Sequence, residues 1–434
     1  MRSLTVWIND QTVGWLHEGE SLWRFEYTPQ WASATGSFDL SPALPRTTLC
    51  HVDGGSSRPV QWYFDNLLPE EGLRQALSKE AGLLGDDAFA LLQYLGAESA
   101  GALTLLPAGD SLPPKCGATL LTDGFLSQRI RNLPLETLSH AAPKRMSLAG
   151  AQHKLLVIYR NQILFEPLGS EPSTHILKPN HPDIDYASSV INEYFTMRLA
   201  KAMGLEVPAV SRHYVPEPVY IIERFDRFVD AKAGPTQRRH IIDACQLMNK
   251  DRQYKYHAAT LETLHEIVLT CRNRIQTRQR LYRWLVFNML IGNHDNHLKN
   301  LSFMVSTDGI ELAPHYDLLS TAVYDTKAFA NERAIWPTVP LTMALPGATT
   351  FAQVTRNAML QAGAALGLAP KTAERELDRM LAALPDAVVR LTGDIETHNR
   401  QLPEPAHVFL AGELRLLRTI AHIIVPDMVA RCRT

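Results

Sequence analysis

Gly292-Asn293-His294-Asp295-Asn296-His297-Leu298-Lys299-Asn300 is the most informative stretch of this 434-residue chain. It follows a run in which Leu281, Trp284, Leu285 and Met289 recur at three- and four-residue spacing, the pattern of a buried helix. Gly292 stops that helix, and polar side chains crowd into the next turn. Asp295 and Asn300 lie five apart, and a strand-like Leu301-Ser302-Phe303-Met304-Val305, a turn at Asp308-Gly309 and then Pro314-His315-Tyr316-Asp317 follow. Asp and Asn are common in tight turns because their side chains bond nearby backbone. His294 and His297 beside Asp295 are a partial metal-ligand set, with no third ligand at zincin-like spacing after them. The spacing alone leaves a plain turn and a catalytic loop both open.

Asp-x-x-x-x-Asn is also the spacing of a protein-kinase catalytic loop. There the Asp accepts the proton of the attacking hydroxyl and the Asn reaches a magnesium ion between the phosphates. The metal needs a further carboxylate, which Asp317 supplies. This reading requires a lysine-bearing strand, a paired glutamate and a phosphate loop upstream. His175-Ile176-Leu177-Lys178 is a β-type run ending in lysine. Residues 188–203 have helical periodicity and carry Glu193, a carboxylate that could hold Lys178 in position, although a solvated helix glutamate is the commoner role. Ser147-Leu148-Ala149-Gly150-Ala151-Gln152-His153-Lys154 places small residues ahead of the apolar strand Leu155-Leu156-Val157-Ile158-Tyr159. Such a loop lets backbone approach an anion closely, and it serves equally as a turn between strands. Val219 to Arg227 is a strand running into charge, where a kinase places its adenine-binding hinge.

Length predicts two or three domains. A hydrophobic content of 45% and a charged content of 20% describe a chain able to bury a full core. The net charge of -2 gives no global footprint for nucleic acid, so contact with DNA needs a local patch or a partner. The five cysteines are odd in number and scattered, without a CxxC pair, which favours a reducing compartment. Residues 1–10 contain no apolar signal region and no apolar run approaches membrane-spanning length, so a cytoplasmic protein with no membrane association is expected.

In order along the chain, residues 4–8 and 22–27 read as strands of a small β-rich unit, and Phe64 to Glu71 is expected to open a helix. A helix from about Asp86 ends at Gly96, and Pro107 to Gly117 is the best linker. A short helical stretch is expected near Leu133 to Ser139. From Asp243 onward helical patterns dominate, near 259–272, 276–291, 350–366, 371–383 and 407–424. The expected fold is α+β and two-lobed, protein-kinase-like, with a β-rich N-terminal part, an added small subdomain and an all-helical C-terminal lobe. The expected divisions are 1–106, 107–245 and 246–434.

Together these stretches resemble the HipA family, the kinase toxins of bacterial toxin–antitoxin modules. The resemblance runs through Phe64-Asp65-Asn66-Leu67-Leu68-Pro69, Ser147 to Lys154, Thr174 to Lys178, Asn192-Glu193, Glu223 to Arg227, Asp243-Ala244-Cys245-Gln246, Asp295 to Asn300 and Tyr316-Asp317. It implies a serine/threonine kinase using ATP and Mg2+, with Asp295 as the catalytic base and Asn300 and Asp317 on the metal. It places Lys178 on the ATP phosphates, under a loop of Ser147, Leu148, Ala149, Gly150, Ala151, Gln152 and Lys154. Glu223, Arg224 and Phe225 would hold the adenine, His297, Lys299 and Tyr316 would line the nucleotide, and Glu193 would partner Lys178. Ser147 matches the serine whose autophosphorylation expels the loop and switches the kinase off. Its phosphate, about −1.5 to −2 charges, is expected to be drawn toward Lys144 and Arg145.

The N-terminal subdomain resembles the full-length toxins rather than the split, three-gene version. The family phosphorylates translation proteins, notably aminoacyl-tRNA synthetases. Its members are held by a HipB-like helix-turn-helix antitoxin, through which they meet operator DNA. Ile241-Ile242, where the family often has Gln-Glu, and Asn296, where it often has glycine, depart from the pattern. A small-molecule or lipid kinase shares the loop spacing. An idle co-repressor acting through its antitoxin is the reading from another class, against which the intact Asp295, Asn300, Asp317 and Lys178 argue.

Overall fold

Leu4, Val6, Val13, Leu16, Trp23, Phe25 and Tyr27 are all buried, the inward half of strands whose neighbours alternate outward. In the computed structural model, which describes residues 1–147, 149–229, 236–330 and 334–434, Arg2–Ile8, Gln11–Gly19 and Leu22–Tyr27 pair antiparallel as a meander. Cys50–Val52 adds to one edge and Leu103–Pro107 to the other. The helices Pro59–Asp65 and Ala88–Leu95 cover this sheet, with Phe64 against Phe25 (ring centroids 5.5 Å) and Phe89 edge-on to Trp23 (5.3 Å). The helix expected to open within Phe64–Glu71 begins at the end of that stretch (Glu71–Ala81), with Glu71 in its first turn. Pro69 disfavours helical backbone in the residue before it, so residues 66–70 form a connection.

A second sheet in the same unit sets His175–Pro179, Leu155–Arg160, Ile163–Gly169 and Lys115–Leu120 side by side, all antiparallel. The helix expected near 133–139 forms earlier, at Asp123–Arg131. There the Thr122 side chain accepts a hydrogen bond from Phe125 N. Ile241–Asp243 pairs with Ser302–Ser306, which turns back into Gly309–Leu312. These pieces make one compact unit: Met1–Lys178, Glu223–Lys255 and Ser302–Ala313.

The other unit, Pro179–Ile222, Tyr256–Leu301 and Pro314–Thr434, is mainly helical. It contains Ser189–Ala202, Leu261–Thr270, Arg274–Leu290, Arg356–Ala365, Pro370–Asn399, His407–Thr419 and Val425–Arg433. Its helical character matches expectation, with the hairpin Pro340–Leu345/Ala348–Thr350 as an addition. The helix expected over 371–383 runs on to Asn399, through Pro385. Proline removes one intrahelical hydrogen bond, but Leu377, Leu381, Leu384, Val388, Leu391 and Ile395 continue one buried stripe across it. No helix among the described residues is long and apolar enough to cross a membrane.

Candidate active site

Gly292 fixes where the polar loop leaves its helix. Its φ is 67°, and a Cβ there would lie 2.8 Å from Ile424 Cγ2 and 3.1 Å from Ala322 Cβ, so both backbone and space require glycine. The chain after it is held by its own side chains. Asn293 Nδ2 donates to Asn288 Oδ1 at 2.6 Å, and Asp295 N donates to Asn293 Oδ1 at 2.9 Å. Asn300 Nδ2 reaches back to the Asp295 carbonyl at 2.7 Å, which ties the ends of the Asp-x4-Asn stretch together. The Asp295 carboxylate is 39% exposed, and its Oδ1 accepts a hydrogen bond from the Tyr256 hydroxyl at 2.6 Å.

The two histidines of the loop separate. His294 faces Asp325 at 3.2 Å, and His297 packs against the Tyr256 ring with its Nε2 3.9 Å from Asp295 Oδ1. Among the described residues no group of three or more His, Cys, Asp or Glu is placed to hold a metal. Lys299 is buried, and its carbonyl accepts from the Tyr316 hydroxyl at 2.8 Å. Asp317 adopts φ 56°, a left-handed conformation uncommon outside glycine, at a point where strain and function tend to coincide. The segment after it is pinned by Asn192, which donates to Ser320 O at 3.0 Å and accepts from Ser320 N at 2.9 Å. Next to Asn192, Glu193 is buried in the helix Ser189–Ala202. Burial, then the charges of Glu193 and Asp317, push the Tyr220 phenol well above its ordinary pKa. An amide oxygen and a carboxylate are hard oxygen donors, the set that suits magnesium beside phosphate. By donor type alone, Asn300 and Asp317 would suit that ion.

In the β-rich unit, Lys178 is buried at the end of its strand, as expected. Ser147 is 1% exposed, and its Oγ donates to the Leu67 carbonyl at 2.7 Å while its N–H donates to the Glu98 carbonyl at 2.7 Å. Glu70 N donates to Gly150 O at 3.2 Å, and Lys154 Nζ reaches Ala149 O. Gly150 has φ 107°, and a Cβ there would meet Lys154 Nζ at 2.8 Å. Ala151 is exposed and Gln152 half-buried. Leu148 lies outside the described residues. Glu223, the last residue of the strand Pro218–Glu223, is exposed, and Phe225 beyond it is half-buried. Arg224 turns inward, with its N–H on Thr174 O at 2.9 Å.

Sequence reading missed the hub of this region. Glu98 is fully buried, and its carboxylate takes Lys144 at 2.7 Å, Arg227 at 2.9 Å and Arg224 at 3.1 Å, with the Ser173 hydroxyl at 2.7 Å. Burial alone would raise its pKa, but Lys144, Arg227, Arg238 and Arg224 hold it well below the usual carboxylate range. Glu98 stands among small residues, Gly96-Ala97-Glu98-Ser99-Ala100-Gly101, with nothing local to announce its partners. The hub also bears on the expected pull of Lys144 and Arg145 on a phosphate. Lys144 already binds Glu98 and the Glu171 carbonyl, and Arg145 donates to the Ser139 and His140 carbonyls over the Tyr94 ring. Neither basic side chain waits for a phosphate on Ser147.

One unit carries a lysine-ended strand and a small-residue loop, and the other carries an Asp-x4-Asn loop with a following Asp. Residues 4–106 match the HipA N-terminal domain and residues 146–388 the HipA-like C-terminal domain. The chain is 32% identical over 318 residues to the serine/threonine-protein kinase toxin HipA of Shewanella oneidensis, covering 69% of this chain and 70% of that one. It is 32% identical over 436 residues to a protein of Sinorhizobium fredii designated a candidate kinase, covering 96% and 99%. Its structure resembles that of HipA in the Shewanella oneidensis complex of HipA, HipB and operator DNA, with TM-score 0.77, 26% identity and 99% of both chains covered. The chain belongs to the HipA family, as a serine/threonine protein kinase carrying both HipA regions.

Proposed function

We propose that the protein transfers the γ-phosphoryl group of ATP to a serine or threonine hydroxyl of another protein, with growth inhibition as the consequence. The observation that carries this reading is the Asp295–Asn300 loop. Its carboxylate holds a hydroxyl at 2.6 Å and its backbone is tied by Asn300 at 2.7 Å. A hydroxyl held there can give its proton to Asp295 as the new O–P bond forms. Asn300 and Asp317 would hold magnesium, which would neutralise charge on the phosphates. Lys178 and the loop from Ser147 to Lys154 are assigned to the phosphates, Glu223 to Phe225 to the adenine, and His297, Lys299 and Tyr316 to the nucleotide. Glu193 is assigned to steady Lys178. Most of the rate would come from positioning and electrostatics. Labelled ATP added to a cell lysate should mark a protein band with the wild type and not with Asp295→Gln. Loss of a positioned base costs about 10²–10⁴-fold. A band of equal strength in the variant would end the assignment.

A HipB-like helix-turn-helix antitoxin is the proposed partner, by likeness to the Shewanella oneidensis complex. Operator DNA would be reached mainly through it, in keeping with a net charge of -2. The family resemblance favours a translation protein such as an aminoacyl-tRNA synthetase as target. Ser147 is the proposed autophosphorylation site. Its hydroxyl is buried and donated to Leu67, so the loop must come out before the phosphoryl group can be accepted. A phosphate of about −1.5 to −2 charges could not return against the Leu67 and Glu98 carbonyls. Fully phosphorylated protein, verified by intact mass, should lose ATP affinity in calorimetry, and Ser147→Ala should retain it after incubation with ATP. Unchanged affinity in the phosphorylated form would sink the switch.

A further inference from the structure

The Tyr256 hydroxyl occupies the Asp295 carboxylate oxygen at 2.6 Å, an interaction that an attacking hydroxyl would have to make. We infer that Tyr256 is a guard on the base: its phenol holds Oδ1 of Asp295 against water and yields only to an acceptor hydroxyl delivered by the protein substrate. This rests on the proposed role of Asp295 as base. The ring is steadied edge-on against His297, with centroids 4.8 Å apart and planes at 85°. It nevertheless remains 44% exposed. Tyr256 lies in a turn between the short helical turn Arg252–Tyr254 and the helix Leu261–Thr270, outside any regular element. It can therefore swing out without breaking a backbone ladder.

The chemistry gives the guard a purpose. Water is the smallest acceptor and is always present, and a kinase whose base is open to it hydrolyses ATP without a target. A bulk water must break a charge-assisted hydrogen bond, short and strong for its class, to reach Oδ1. A docked protein substrate has binding energy from elsewhere to apply to the same displacement. Tyr256 is thus a specificity-determining residue, favouring protein hydroxyls over water.

The test is steady-state hydrolysis of Mg-ATP by the purified full chain without a protein acceptor. Tyr256→Phe keeps the ring on His297 and removes only the hydroxyl. Its kcat for hydrolysis should rise about tenfold, the rate equivalent of one hydrogen bond to a charged group, with the KM for ATP unchanged. Tyr256→Ala, which also removes the ring, should do the same. Asp295→Asn and the double variant should both be flat. Hydrolysis that depends on Asp295 but does not rise in Tyr256→Phe overturns the guard alone. Hydrolysis that survives Asp295→Asn overturns the base and the guard with it. Phosphate found on Tyr256 by peptide mass mapping would make it an acceptor, which also overturns the guard.

Discussion

Asp317 carries a left-handed backbone, φ 56°, that a non-glycine residue keeps only where its surroundings impose it. Three residues on, the Asn192 amide holds Ser320 through paired hydrogen bonds. If Asp317 shares magnesium with Asn300, Asp317→Ala should weaken Mg-ATP binding sharply, because a hard cation loses its carboxylate oxygen. Calorimetry in excess magnesium checks this, and an unchanged dissociation constant would remove Asp317 from the metal. Asp295, Asn300 and Asp317 stood out in the sequence because the first two share a fixed spacing and the third follows within one short span. Tyr256 did not, and Asn192 did so only within the family resemblance. Their roles follow from which backbone groups and carboxylate the fold brings opposite them, and nothing beside them in the chain specifies that.

At the scale of elements, the loop from Ser147 to Lys154 keeps its place through the N-terminal part of its own unit. Leu67 and Glu98 hold Ser147 and Glu70 holds Gly150, while the Glu98 side chain gathers Lys144, Arg224 and Arg227 around the loop's base. Removing one charge from such a buried network strands the others, which costs about 3–5 kcal/mol. Glu98→Gln should therefore lower the thermal midpoint by several degrees and weaken ATP binding, since the loop loses its footing. A variant with wild-type melting and ATP affinity would show the hub to be dispensable. The helices themselves were mostly legible from apolar spacing, as at Ser189–Ala202 and Arg274–Leu290. Where the reading slipped, at residues 66–70 and past Pro385, a proline had two possible outcomes. Past Pro385 the buried apolar stripe carries the helix on, and at residues 66–70 the constraint that Pro69 places on Leu68 breaks it.

For the whole molecule, the change from strand to helical periodicity gave the fold class, but not the interleaving of the two units. Chain segments 223–255 and 302–313 return to the β-rich unit: Ile241–Asp243 pairs with Ser302–Ser306, about sixty residues on, while Arg224, His240 and Gln246 bond Glu98, Leu40 and Tyr63. Local pattern carries no such information. Each unit also buries a neutral histidine: His240, between the Leu40 carbonyl and the Tyr63 hydroxyl, and His315, stacked on Trp284. Burial pushes their pKa values down to about 4 and about 3, with Arg280 adding to the effect on His315. A depressed histidine binds its proton less readily folded than unfolded. The stability from keeping it neutral is therefore full above about pH 6.5 and is lost as pH falls toward the folded values. At pH 5 the loss should be about 2 kcal/mol for each histidine, from the gap to the unfolded pKa near 6.5. Urea unfolding at pH 7.5 and pH 5.0 should show the lower midpoint at pH 5.0, and His315→Gln should narrow the gap between the two. Equal midpoints at both pH values in the wild type would mean that neither histidine is held neutral by the fold.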